Sequence, residues 1–190
     1  MENDKKILVV SGCLRKNGNT ERLLRDFLRD EDPEKLKTVY LRNLDFSGCL
    51  ACDGCLKKPA CVLKDDLREV YPALETCQSL ILASPIYFNG VSWLMKEFID
   101  RLQAYFHHNM DWPRRDKALA LFTGGAKDYK DQFTGGRLET EIAFRSLGFE
   151  KNYWIQVPNT DQDPYESGSL DLRGRGENKI WTRKEGGLWE

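Results

Sequence analysis

The sequence predicts an α/β protein: a doubly wound, five-stranded parallel sheet with helices on both faces. Three observations carry that expectation. Short apolar runs such as Ile7-Leu-Val-Val10 and Leu80-Ile-Leu-Ala83 have the continuous hydrophobicity of strands buried on both faces. Between such runs lie stretches with apolar residues three and four apart, the cleanest from Val91 to Leu102. Polar, glycine-bearing turns link them at 11–20, 84–90 and 123–136.

In order, the first strand, Lys6–Val10, runs through the turn Ser11–Thr20 into a helix. That helix carries Leu23, Leu24, Phe27 and Leu28 on one face and stops before Pro33. A second strand is expected near Leu36–Leu41. Asp65 and Asp66 are placed to cap the next helix, with Glu69 in a capping-box position. The third strand, Leu80–Ala83, is expected to end at Ser84-Pro85. The helix after Gly90 buries Val91, Leu94, Met95, Phe98, Ile99 and Leu102, leaving Lys96, Glu97, Asp100 and Arg101 on its far side to pair four apart. Ala118–Phe122 is the fourth strand. A helix from about Gly136 to Leu147 ends at Gly148 as its C′ residue. Tyr153–Val157 is the fifth strand. Such a chain fits the flavodoxin-like order 2-1-3-4-5, whose ligands bind beyond the carboxyl ends of the strands at the switch between the first and third.

Residues 1–157 thus form one domain, with a cysteine-rich loop at 48–64, and 158–190 form an extended polar tail. Tyr165, Trp181 and Trp189 are costly in a free tail, so it is expected to pack on its own or a neighbouring subunit.

Composition removes several functions. Twenty-nine basic and 30 acidic residues leave a net charge of −1, which gives no broad field for nucleic acid. No run reaches the roughly 18 apolar residues of a membrane span. The polar start leads straight into Ile7 and has no signal-peptide pattern, so a reducing, cytoplasmic compartment is expected.

Two stretches carry chemistry. Arg15, Asn17, Gly18, Asn19 and Thr20 lie where a helix starts after a buried strand, so backbone N–H groups and the positive helix end make an anion site. The loop lacks both G-K-[ST] and G-x-G-x-x-G, so a monophosphate such as that of FMN fits better than an extended dinucleotide. An ordinary capped turn is the other reading. The second stretch holds Cys49, Cys52, Cys55 and Cys61, spaced C-x2-C-x2-C-x5-C. A metal centre, a disulfide pair or four free thiols would each account for it. A reducing compartment weighs against disulfides. Three thiols at two-residue gaps suit a [4Fe–4S] cluster better than zinc, which more often uses two separated C-x2-C knuckles. Free or redox-active thiols stay open at this point. Cys77, at an apolar helix edge, reads as a core thiol.

Gly12-Cys-Leu-Arg-Lys-Asn-Gly-Asn-Thr20, Ser84-Pro-Ile-Tyr-Phe-Asn-Gly-Val91 with Lys96–Arg101, and Thr123-Gly-Gly125 with Gly135-Gly136 resemble the three flavin loops of NADPH-dependent FMN reductases. With the four cysteines added, the chain resembles the iron–sulfur flavoprotein family over about residues 5–157. The resemblance implies that residues 13–20, with Cys13, Arg15, Asn17, Asn19 and Thr20, hold the FMN phosphate. Pro85, Ile86, Tyr87, Phe88 and Asn89 would line the isoalloxazine ring, and Thr123, Gly124 and Gly125 its other edge. Cys49, Cys52, Cys55 and Cys61 would hold the cluster. It further implies a homo-oligomer, a dimer or tetramer with a cluster near a neighbour's FMN, ferredoxin-type partners, and NAD(P)H as a possible donor. Cys13-Leu14 departs from the family's usual Ser-Pro, and a thiol is the weaker donor.

His107, His108, Tyr105, Phe106 and Trp112 read as structural or surface residues. Tyr87 and Phe88 instead would abut the flavin and exclude water. The expected function is a redox relay between FMN and a [4Fe–4S] cluster. The alternatives are an NAD(P)H-dependent FMN or quinone reductase without a working cluster, and a non-enzymatic flavin-binding redox sensor.

Overall fold

The structure is a computed structural model that describes residues 7–108, 110–113 and 115–166. Its strands are β1 (Ile7–Ser11), β2 (Leu36–Tyr40), β3 (Ser79–Tyr87), β4 (Gly90–Val91), β5 (Lys117–Gly124) and β6 (Asn152–Val157). Five of them run parallel in the order β2-β1-β3-β5-β6, the expected doubly wound arrangement, while β4 pairs antiparallel with the end of β3. The helices are α1 (Asn19–Phe27), α2 (Tyr71–Thr76), α3 (Trp93–Arg101), α4 (Gln103–Phe106) and α5 (Thr134–Ser146).

The pleat splits each apolar run between two cores. Leu8, Val10, Leu80, Leu82, Ala120 and Phe122 face the helices α2, α3 and α5 through Leu74, Met95, Phe98, Ala143 and Phe144. Ile7, Val9, Ile81, Leu119, Leu121 and Ile155 face the other way, onto Leu23 and Leu24 of α1. That second face is also covered by Tyr165, which is buried and donates its hydroxyl to Asp26 at 2.6 Å. Burying an aromatic of this size contributes about 2 kcal/mol. Trp181 and Trp189 lie outside the described residues.

Three local expectations are corrected. β3 does not stop at Ser84-Pro85 but continues to Tyr87 beside β5. Pro85 is tolerated because the Ala83 carbonyl points to the β1 side, where it accepts from Gly12 N–H at 2.8 Å. By alternation, Pro85 turns its missing N–H to that same side, just past the end of β1. The Asp65–Glu69 stretch forms a 3-10 turn, not a capping box, and neither acid is spent on capping it. Asp66 accepts from Asp45 N–H at 2.8 Å, and Asp65 takes the guanidinium of Arg101. Arg101 is therefore not on the solvent side of α3: its side chain is fully buried, because Asp65 and the Ser47 carbonyl neutralise it there. Lys96 and Asp100 do pair on the exposed face as expected.

The N-terminus of α3 is fixed by Ser92. Its hydroxyl accepts from Met95 N–H at 3.3 Å and donates to Gly12 O at 2.8 Å, while its own N–H reaches Ser84 Oγ at 2.9 Å. Gly12 is required there, since an added Cβ would stand 2.7 Å from Met95 Cβ. No helix among the described residues is long and apolar enough to cross a membrane.

Ser92→Ala should lower stability by about 1–3 kcal/mol, from the lost cap and the Gly12 carbonyl left unsatisfied. A urea melt checks this; an unchanged midpoint at equal slope would refute the role given to Ser92.

Candidate functional site

The turns after β1, β3 and β5 converge on one cleft of about 660 Å³ at the carboxyl edge of the sheet. Such a volume suits a small-molecule or cofactor site. Its walls include Cys13, Arg15, Asn17, Asn19, Thr20, Pro85, Ile86, Tyr87, Phe88, Asn89, Thr123 and Gly125. Gly124 is not on the wall; its carbonyl instead receives Thr160 N–H at 3.0 Å and Thr160 Oγ1 at 3.1 Å.

The first loop is shaped by an acid. Glu21, buried, accepts Asn17 N–H at 2.7 Å on one oxygen and pairs with Arg42 on the other. Arg42 also donates to Cys13 O at 3.1 Å and stacks over the Tyr40 ring at 4.6 Å. This holds Asn17 at φ 60° and leads to Gly18, which caps α1 without any side-chain hydrogen bond. The first-turn N–H groups of α1 are thus left uncapped by side chains at the cleft. The Thr20 and Thr123 hydroxyls meet at 2.6 Å, joining the first loop to the third. Asn19 is spent elsewhere: its amide donates to Thr160 O at 3.1 Å and its oxygen accepts Tyr165 N–H at 3.2 Å. Cys13 is buried, and its thiol faces the Ala83 carbonyl at 4.0 Å. Burial, with Glu21 adding to it, pushes that thiol up to about 11, so it is a neutral, weak donor.

The second loop is a two-residue hairpin, Phe88 at φ 49° and Asn89 at φ 64°, closed by the Tyr87–Gly90 pair. A bulky residue in the left-handed region costs energy, and here it leaves Phe88 fully exposed at the cleft mouth beside half-exposed Tyr87. Gly135 and Gly136 seat the hairpin: Gly136 N–H donates to Asn89 O at 3.0 Å, and a Cβ on Gly135 would stand 2.6 Å from that oxygen. The Tyr129 hydroxyl binds the Asn89 side chain.

A buried acceptor points to an occupant. Gln132 lines the cleft, its amide N–H reaches Ala126 O at 3.2 Å, and its Oε1 has no partner. A ligand N–H or hydroxyl would satisfy it. Glu21, Arg42, Gln132, Thr160 and Asp161 were not expected from the sequence. Only the turn-forming run Asn159-Thr-Asp after Pro158 gave a local signal.

The four cysteines of the 48–64 loop line a second cavity of about 280 Å³, walled on the other side by Asp100, Arg101, Gln103, Ala104 and His107 at the end of α3 and in α4. All four are free thiols. Ala51 at φ 51° and Asp53 at φ 56° turn the chain twice between them, and Ala51 N–H reaches Cys49 Sγ at 3.4 Å. Burial raises the Cys55 thiol, and the neighbouring Cys49, Cys61 and Cys52 add to the rise. Among the described residues no three metal-ligating side chains converge as a single ion requires. A cubane places each thiolate on a different iron, so four sulfurs around one cavity suit it better than one ion. His108, read as a surface residue, joins its ring Nε2 to Cys55 O at 2.6 Å and so braces this loop. Cys77 is a buried core thiol, pushed up to about 11 by burial.

Residues 5–131 match the family model described as NADPH-dependent FMN reductase. The chain belongs to that family. Among its relatives, an iron-sulfur flavoprotein of Archaeoglobus fulgidus is 34% identical over 124 residues, 64% of this chain and 56% of that protein. An iron-sulfur flavoprotein of Methanosarcina thermophila is 28% identical over 137 residues, 71% of this chain and 68% of that one. The chain spans 56% and 62% of the length of two Archaeoglobus fulgidus relatives. A NAD(P)H:quinone oxidoreductase from Methanothermobacter marburgensis superposes with a TM-score of 0.60 at 16% identity, over 80% of this chain and 84% of that one. That likeness shows the fold of this FMN reductase family member.

Thiol chemistry should sort its six cysteines. With the protein reduced, chelated and freed of reductant, the four of the loop should react with a disulfide reagent at pH 8, Cys55 the slowest of them. Cys13 and Cys77, neutral until the pH nears about 11, should react only on unfolding. More than four fast thiols in the native protein would contradict the assignment.

Proposed function

We propose that this chain is a redox flavoprotein with FMN in the larger cleft and a [4Fe–4S] cluster on Cys49, Cys52, Cys55 and Cys61. Electrons would pass between the two and on to ferredoxin-type carriers. The observation that carries this reading is the arrangement of the two cavities. Three loops close on a cleft with an uncapped helix start, and four free thiols line a second cavity beyond the other end of α3. The nine residues of α3 span roughly 13 Å.

The α1 amides, Thr20 and the Asn17 carboxamide would receive the phosphate, while Glu21 and Arg42 hold that loop in shape. Asn19 acts through the chain beyond β6, tying residues 160–165 to the phosphate loop. Pro85 to Asn89 would flank the ring, with Tyr87 and Phe88 covering it from water, and Gln132 Oε1 would take a hydrogen bond from the bound group. Together the two groups supply conversion between two-electron and one-electron carriers. Residence in a reducing cytoplasm fits the free thiols, and assembly as a homo-oligomer belongs to this reading.

A second reading is an NAD(P)H-dependent FMN or quinone reductase without a cluster. The match of residues 5–131 to the NADPH-dependent FMN reductase model supports it.

Anaerobic purification with absorption, iron and acid-labile sulfide analysis separates the two. The relay reading expects flavin with about four irons and four sulfides per chain. Flavin without iron or sulfide overturns it. Cys55→Ser should abolish iron binding and leave FMN bound; loss of both together would contradict separate sites.

A further inference from the structure

The cysteine loop begins just after Ser47 and ends just before Asp65, and one side chain holds both ends. Arg101 donates through one terminal nitrogen to Ser47 O at 2.7 Å and to Asp65 Oδ2 at 2.6 Å, and through the other to Asp65 Oδ1 at 3.1 Å. It is 1% exposed and lies on the wall of the thiol cavity. Three of its five donors are thereby used; Nε is buried with no partner. The Tyr71 hydroxyl, on the Cys61 side of the loop, is likewise buried without a partner, and its ring packs edge-on against Tyr105 at 6.0 Å. Arg101 and Tyr71 lie close enough to interact, and their buried donors beside one set of thiols favour an anionic group that takes them. Asp100 also lies on the cavity wall, but its carboxylate is paired with Lys96, which leaves Arg101 as the wall's cation toward the thiols.

The groups around Arg101 agree with a permanent positive charge there. Burial opposes that charge, but the Asp65 carboxylate outweighs it and holds the guanidinium protonated. Arg101 in turn keeps the Asp65 carboxyl below its ordinary range despite burial.

We infer that Arg101 is a positioning and potential-setting residue of the thiolate site: it buckles the cysteine loop at both ends, and with the Tyr71 hydroxyl it supplies unpaired donors to the negative charge gathered on the Cys61 side. The inference rests on the reading of the four cysteines as a cluster site. Positive charge and hydrogen bonds to thiolate sulfur stabilise the more reduced, more negative state, so they raise the reduction potential of a centre held there. A serine- or methionine-sized side chain at 101 could close neither end of the loop.

The test uses the full-length protein, reconstituted anaerobically with iron and sulfide, as wild type, Tyr71→Phe, Arg101→Lys and Arg101→Gln. Iron, sulfide and FMN are counted, and the cluster signal is followed by electron paramagnetic resonance through a redox titration. Tyr71→Phe, which removes one oxygen and leaves the buckle intact, should keep full iron and FMN while its midpoint moves to lower potential. Arg101→Lys, keeping the charge without the two-pronged grip, should retain a larger share of iron than Arg101→Gln, which should lose most of it with FMN still bound. Full iron and wild-type midpoints in both Tyr71→Phe and Arg101→Lys would overturn this inference alone. A wild-type protein that binds neither iron nor sulfide would overturn the cluster reading and this inference with it.

Discussion

The buried hydroxyl of Ser92 sits where the strand order reverses, and the cleft depends on what it joins. It caps α3, receives α3's Met95 amide and holds the Gly12 carbonyl of the first loop, while its own amide is held by Ser84 of the second. A doubly wound sheet opens a crevice at this switch because neighbouring connections leave in opposite directions. Left to themselves, the two loops would diverge. The Ser92 contacts, with Met95 packed against the bare Gly12, draw them to a common edge, and the Thr20–Thr123 pair brings in the third loop.

Helix α3 then carries that fixed point to the opposite end of the molecule's chemistry. Its N-terminus is bound to the flavin-type loops and its last residue, Arg101, to the ends of the cysteine loop. The same amphipathic stripe that packs Leu94, Met95 and Phe98 into the core therefore sets the spacing of both cavities. A rigid helix between two sites keeps their separation constant when loops at either end adjust.

Much of this was legible in the sequence, and the reasons differ by element. The strands β1 and β5 and the helix α3 announce themselves because burial on both faces, or on one stripe, leaves periodic apolar patterns. The three loops were legible through their glycines and small polar residues, which mark close backbone approach at Gly12, Gly135 and Gly136. The partners of those loops were not. Glu21 and Arg42 lie 21 residues apart and look like ordinary surface charges until the fold buries the first and partly buries the second. Arg101 sits at a position that helical spacing alone assigns to solvent, and only a loop ending at Asp65 makes its burial affordable. Asp65 itself resembled a helix cap for the same reason: its local pattern is ambiguous, and a distant guanidinium decides.

The carboxamide of Asn19 has a consequence for what counts as the functional unit. One end of it grips Thr160 and the other Tyr165, while the Tyr165 ring closes the α1 face of the core. The stretch after β6 is thus both a wall of the cleft and a lid on the apolar face that, among the described residues, packs against α1 alone. A gene fragment trimmed at Val157, where the last strand ends, would remove the anchor of the first loop along with part of the cover over that apolar face. The smallest portable version of this fold ends after Tyr165, because the eight residues 158–165 carry both the ring and the contacts to Asn19.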